Sequence, residues 1–189
     1  MSQRFEVPPT SRVKVRRSAR ALRQILWQYG QAAVDVIAVV EIILPSLDPE
    51  FEFHVVPDEE LKGKEAETWP DRKIIRVTET VYRKACMNDS RARFTIAHEL
   101  GHLFLHRGIG VRLARILPNQ DIPKFRDSEW QADTFAGEFL MDAALYATCR
   151  TVKEAADLFK VSYSAAKVQG LAYRRDLLIP NTIAGLDEE

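Results

Sequence analysis

The stretch Thr95-Ile96-Ala97-His98-Glu99-Leu100-Gly101-His102-Leu103 decides how this chain is read: two histidines stand four apart, with a glutamate directly after the first. On a helix this spacing turns both imidazoles to one face about one turn apart, so two ring nitrogens can reach one tetrahedral Zn²⁺ at roughly 2.0–2.1 Å. Glu99 falls on the neighbouring flank, where a carboxylate sits beside the attacking water without being a ligand, as a general base must. His98 and His102 are therefore candidate metal ligands and Glu99 the candidate catalytic base. An accidental H-E-x-x-H on an ordinary helix is the competing reading. Against it, Asn88-Asp89-Ser90 precedes the motif as a capping stretch and Gly108 follows it, which predicts one enclosing helix of about sixteen to eighteen residues.

A catalytic zinc site needs a third protein ligand. His106 lies eight residues beyond His98, about 12 Å away along a straight helix, which is too far to share one ion. It reads as a surface histidine or as one supporting a ligand from behind. The longer metzincin pattern fails, because Leu105 and Gly108 stand where its glycine and third histidine belong. Downstream, Ser128 to Met141 forms a core-packing helix. Ala132, Phe135, Ala136, Phe139, Leu140 and Ala143 make one apolar stripe, and Ser128 with Gln131 reads as a capping box. At 100° per residue Glu129 and Asp133 fall on the edge of that stripe, whereas Glu138 and Asp142 point away from it. Two carboxylates one turn apart at a buried edge supply what is missing: Glu129 as third ligand, and Asp133 to accept a ligand histidine's other N–H. The alternative is a pair of acids that merely favour a helix N-terminus through its dipole.

Arg91 to His106, followed by Glu129 to Met141, resembles the ImmA/IrrE family of metallo-endopeptidases, gluzincin-like bacterial and phage proteases. The resemblance runs from about Arg16 to Asp176 and is specific in the two motif helices. It implies Zn²⁺ held by His98, His102 and Glu129, with Glu99 as catalyst. The Glu129-x-x-x-Asp133 spacing is similar to that of thermolysin, which supports Asp133 as the histidine's partner. Asp142 after Met141 departs from the family, which often has proline there. The substrate implied is a helix-turn-helix repressor, whose cleavage would switch on phage, mobile-element or stress genes.

The rest of the chain sets bounds. At 189 residues, 46% hydrophobic and 29% charged, it has material for one compact domain or a domain with an appendage, and its formal net charge of zero offers no overall attraction to nucleic acid or membrane. Two cysteines in no C-x-x-C pair suit a reducing cytosol. No secretory leader is read, and the run Val36 to Leu44 is too short to span a bilayer, so the expected location is cytoplasmic.

Residues 1–14 read as a loose arm, 15–148 as a zincin-like metallopeptidase domain and 149–189 as a C-terminal helical segment packed on it. Val15 to Gly30 predicts an amphipathic helix with solvated arginines, and Val34 to Leu44 a helix stopped by Pro45. Phe51 to Val56 and Lys73 to Val77 read as strands of a small antiparallel sheet, either of which can offer an edge to an extended substrate. His54 belongs on a strand surface. Thr78 to Cys86 predicts a short helix, and the long Arg107 to Asp127 segment a groove wall. Thr151-Val152-Lys153-Glu154 opens a pair of helices at helix-turn-helix-like spacing, with Lys160, Lys167, Arg174 and Arg175 as possible phosphate contacts.

The expectation is an α+β, mostly helical zinc endopeptidase acting on a protein partner, with no direct nucleic-acid binding. Its rival is a DNA-binding regulator with a structural or inactive zinc site. A zinc amidase such as a deformylase, with Cys86 as ligand, would leave Glu129 and Asp133 without a purpose.

Overall fold

The computed structural model describes residues 5–26, 32–109, 114–115 and 122–187. Strand β1 (Phe5–Glu6) leads to α1 (Arg12–Ile25). Ser11 caps α1 by accepting from Lys14 N, and Val15, Ala19 and Leu22 bury one stripe of it. The Gly30 expected to end this helix lies outside the described residues. The arginines depart from the expectation. Arg17 and Arg20 are exposed, but Arg23 is buried and donates to the Phe139 carbonyl at 2.8 Å. Arg16 binds Glu138 at 2.9 Å and Asp176 at 2.6 Å. Glu138, read from its helix as pointing away from the core, is 1% exposed at its side chain. Docking of α1 covers that second face, and a buried carboxylate is tolerable there because arginines neutralise it.

The next helical stretch begins as α2 (Val36–Ala38), widens into a π-helical turn at Val39–Ile43 and ends as α3 (Leu44–Leu47). Pro45 thus sits inside the stretch and does not stop it. The Leu44 N–H bonds back to Val39 O, and Pro45 follows at this change of register, at the start of α3, where its missing N–H matters least.

Strands β2 (Glu52–Val56), β3 (Ala66–Trp69) and β4 (Ile74–Thr78) form a mixed sheet in the order β2-β4-β3. The expected small antiparallel sheet is corrected here: β2 runs parallel to β4, and the antiparallel partner of β4 is β3. A short 3-10 turn at Pro70–Arg72 joins β3 to β4, so the hairpin partner is the nearer strand and β2 takes the far edge. α4 (Glu79–Cys86) follows, with the Thr78 side chain accepting from Val81 N.

The motif lies in α5 (Ser90–Leu105), capped by Asp89 accepting from Ala92 N. After β5 (Ala114–Arg115), which pairs antiparallel with β1, comes α6 (Ser128–Leu140). Its cap is Asp127, accepting from Glu129 N, and not the Ser128–Gln131 box. Ser128 Oγ is engaged by Phe5 N at 3.0 Å. α7 (Ala143–Tyr146), α8 (Val152–Phe159) and α9 (Tyr163–Arg175) complete the order. Thr151 and Ser162 cap the last two helices, and Lys160 makes the turn between them with a φ of 52°.

One hydrophobic core runs from Val15 to Leu186, with α5 at its centre between α6 and the sheet. Arg93 ties this helix to distant parts of the chain. It is buried and donates to the carbonyls of Val34, Phe159 and Lys160. Of the arm expected to be loose, the described residues 5–10 are bonded to the turn that leads into α6: Val7 N donates to Arg126 O at 2.8 Å and Thr10 N to Phe125 O at 3.0 Å. Among the described residues, no helix is long and apolar enough to cross a membrane.

Candidate metal centre

His98 and His102 project from successive turns of α5, and Glu129 from the first turn of α6. His98 Nε2 lies 3.0 Å from His102 Nε2 and 3.4 Å from one Glu129 oxygen, and His102 Nε2 lies 3.3 Å from the other. Ligand atoms on a tetrahedral zinc at roughly 2.0–2.1 Å stand about 3.3 Å from one another, and each pair of these three residues already has donor atoms at about that spacing. Two imidazoles and one carboxylate are also a donor set of catalytic zinc sites, which keep the fourth position open. The residues therefore fit the metal. Among the described residues they are the group of three possible ligands lying within 4.8 Å of one another, and Cys86, exposed on α4, is not in it.

Helix packing sets this geometry. An added Cβ on Gly101 would lie 3.0 Å from both the Cα and the carbonyl oxygen of Ala132. Without a Cβ at this position α5 and α6 approach more closely than a larger residue would leave them, and the approach brings Glu129 to the histidines.

The outer nitrogens are engaged too. His98 Nδ1 lies 2.8 Å from Asp133 Oδ1, where a carboxylate can only accept, so Nδ1 carries a proton and Nε2 is the nitrogen left to face a metal. Asp133 itself is 60% exposed at its side chain. His102 Nδ1 lies 2.9 Å from His106 Nδ1, and His106 Nε2 lies 3.2 Å from Gln131 Oε1. His106 is thus buried behind the site, too distant to be a ligand beside His98 but one turn from His102.

Charge follows these contacts. Burial disfavours a charged His98, but hydrogen bonds to Asp133 and Glu129 outweigh it and raise its pKa to about 10. Burial likewise works against an ionised Glu129, and bonds to His102 and His98 reverse the sign, holding it at about 2. Burial and the neighbouring His102 push His106 down to about 4, so that it is neutral.

Glu99 is buried beside the triad, and its Oε2 accepts from Thr68 Oγ1 at 2.5 Å. Thr68 belongs to β3, a strand absent from the expectations above. Four residues between a glycine-containing turn and Pro70 carry too little alternation to reveal it. This changes which strand borders the site. β4 is central and β2 is the far edge, so the edge beside α5 is β3, whose other side pairs with no strand among the described residues. A cleft of about 270 Å³ opens there, lined by Val7, Thr68, Trp69, Glu99, His102 and Glu129 among others. His54 sits elsewhere, exposed on β2 and 2.6 Å from Glu52. Nearly half of the segment expected to form a groove wall, 110–113 and 116–121, lies outside the described residues.

Comparison with known proteins gives the fold and the family. The solved structure of a Mycobacterium tuberculosis transcriptional regulator shares the fold, with a TM-score of 0.53 and 17% identity. The match covers 85% of this chain and 46% of that one, so the chain spans about half the length of this neighbour. No curated protein matches. The model of the IrrE N-terminal-like domain, Peptidase_M78, matches residues 54–169, which include both motif helices and the edge strand. With more than half of its length matched, this chain belongs to the IrrE N-terminal-like family and carries a metallopeptidase-type domain.

Proposed function

We propose that this protein is a cytoplasmic zinc endopeptidase of zincin-like construction that cleaves a protein partner, a helix-turn-helix transcriptional repressor, and so derepresses phage, mobile-element or stress genes. The observation that carries the catalytic reading is the triangle of His98, His102 and Glu129, with the Glu99 carboxylate beside it and the edge of β3 alongside. Zinc held there would supply a Lewis acid, acidifying water and polarising a peptide carbonyl. Glu99 takes the proton of the attacking water and returns it to the leaving amine. Thr68 donates to one Glu99 oxygen, which holds the carboxylate in place and leaves the other oxygen for the proton. The edge of β3, unpaired among the described residues, binds an extended segment by backbone hydrogen bonds, which hold a peptide without demanding its sequence. Family membership supports the protein substrate, and the resemblance to ImmA/IrrE proteases supports a repressor as its class.

The test is incubation of zinc-loaded wild-type protein and of Glu99→Gln with helix-turn-helix repressors from the same genome, any encoded beside this gene first. The wild type should cut and lose activity to a chelator; the variant should bind zinc equally and not cut. Equal cleavage by Glu99→Gln would refute the assignment.

A DNA-binding regulator is the second reading, favoured by the solved neighbour, itself named a transcriptional regulator, and by the α8–α9 pair. Two of its candidate phosphate contacts are engaged within the chain: Arg174 with Asp187 at 2.6 Å and Lys160 with Asn88 at 3.4 Å. Salt-dependent duplex binding by the isolated protein would favour this reading.

A further inference from the structure

We propose that His106 and Gln131 are positioning residues that fix the tautomer of His102 and thereby set the affinity of the site for zinc. The inference rests on the metal reading above. It starts from the Gln131 side chain, which is buried, with Nε2 3.0 Å from Pro8 O and 2.9 Å from Phe125 O. Both carbonyls can only accept, so the amide nitrogen must face them and give up both its hydrogens. Oε1 is thereby turned to His106 Nε2 at 3.2 Å, where an amide oxygen can only accept. Nε2 of His106 is therefore the donor, and a neutral His106 ring with its proton there presents a lone pair at Nδ1. The atom facing that lone pair is His102 Nδ1 at 2.9 Å, which must be the donor. With its proton on Nδ1, His102 is left with a lone pair on Nε2, directed toward Glu129 and His98.

Every orientation in this relay is imposed by the group before it, and the first is imposed by two main-chain carbonyls. One of these, Pro8 O, belongs to the N-terminal segment bonded to the turn that leads into α6. The two ligand histidines thus reach the same tautomer by different routes. His98 uses an exposed carboxylate, Asp133, whereas His102 uses a buried, uncharged chain. An uncharged partner matters at this position. Glu129 within the triad and Glu99 beside it already place two carboxylates at the site, and a third buried behind His102 would have no water to share its charge.

The test measures zinc affinity of the full chain by competition with a chromophoric chelator, together with long-range ¹H–¹⁵N spectra that distinguish a protonated from an unprotonated ring nitrogen. His106→Leu keeps the volume and removes the acceptor, and should weaken zinc binding about 10–100-fold. His106→Asn places an amide oxygen near the position of Nδ1 and should restore most of that loss, which a purely space-filling role does not predict. In the zinc-loaded wild type, His106 should be protonated on Nε2 and His102 on Nδ1. In Gln131→Leu the His106 proton should no longer be confined to Nε2. Wild-type affinity in His106→Leu, no rescue by His106→Asn, or a His106 proton on Nδ1 would overturn the inference while zinc binding itself stands. A wild-type chain that takes up no zinc at all would instead remove the metal reading and the inference with it.

Discussion

Gly101→Ala is the sharpest perturbation of this site, because two opposing effects can be weighed. In an exposed helix, replacing glycine by alanine stabilises by about 0.8–1.0 kcal/mol through backbone entropy and helix propensity. At Gly101 the new methyl group would stand 3.0 Å from the Cα and carbonyl oxygen of Ala132 and 3.2 Å from the Cβ of Phe135. Two of these are main-chain atoms of α6, so no side-chain rotation relieves them. Overpacking of this kind costs about 1–3 kcal/mol, which exceeds the propensity gain. A normal contact requires α6 to withdraw by a few tenths of an ångström, while metal–ligand distances tolerate only about 0.2 Å. Glu129 sits on α6, and its oxygens lie 3.3 and 3.4 Å from the histidine nitrogens, so the withdrawal acts directly on the ligand triangle. The expected outcome is a folded variant with a modestly lowered melting temperature and a disproportionate loss of zinc affinity. Differential scanning calorimetry with and without zinc, paired with chelator competition, separates the two. Wild-type zinc affinity in Gly101→Ala would refute the claim that this close approach builds the site; an unchanged melting temperature would refute the overpacking cost.

Glu129→Ala should leave the purified chain with strongly reduced zinc, read by metal analysis, and full occupancy would remove Glu129 from the ligand set. Asp133→Ala should weaken zinc binding about tenfold, the low end of the usual 10–100-fold range, since this carboxylate is 60% exposed. Unchanged affinity would make Asp133 a solvated helix acid. Zinc affinity should also rise with pH. With the metal-free His98 pKa raised to about 10, zinc must displace its proton, so apparent affinity between pH 6 and 8 should increase about tenfold per unit from this group alone. A flat profile would place the proton elsewhere. For the stability of the metal-free chain the signs differ. The raised His98 pKa contributes fully below its ordinary value of 6.5 and is lost as pH climbs toward 10. The depressed Glu129 pKa contributes fully above 4.5 and is lost as pH falls toward 2. Melting temperatures of the metal-free chain should therefore be highest between about pH 4.5 and 6.5 as far as these two groups decide.

The sequence by itself determined the parts of this protein that depend on local periodicity. A helix repeats every 3.6 residues whatever surrounds it, so the facing of His98 and His102, the flank position of Glu99 and the one-turn spacing of Glu129 and Asp133 are legible without any knowledge of the fold. Caps bonded within three residues, such as Asp89 at α5 and Thr151 at α8, are legible for the same reason. The mutual approach of the two helices is not. It depends on Gly101 meeting Ala132, a contact between positions thirty-one residues apart whose letters carry no sign of each other.

Tertiary structure decided whatever needs a distant partner. The order of the strands put β3 and its Thr68 against Glu99, a role no four-residue pattern announces. Docking of α1 turned Arg16 and Glu138 into a buried pair across 122 positions and sent Arg23 into the core, although the helical pattern placed these charges in solvent. His106 shows the division most clearly. Its spacing four residues after His102 is visible in the sequence and places the two rings on one face. The proton it holds, however, depends on how Gln131 is turned, and that depends on a carbonyl 123 residues away at Pro8. Main-chain periodicity is a property of short segments, whereas desolvation and hydrogen-bond direction belong to the neighbours that the whole chain brings together.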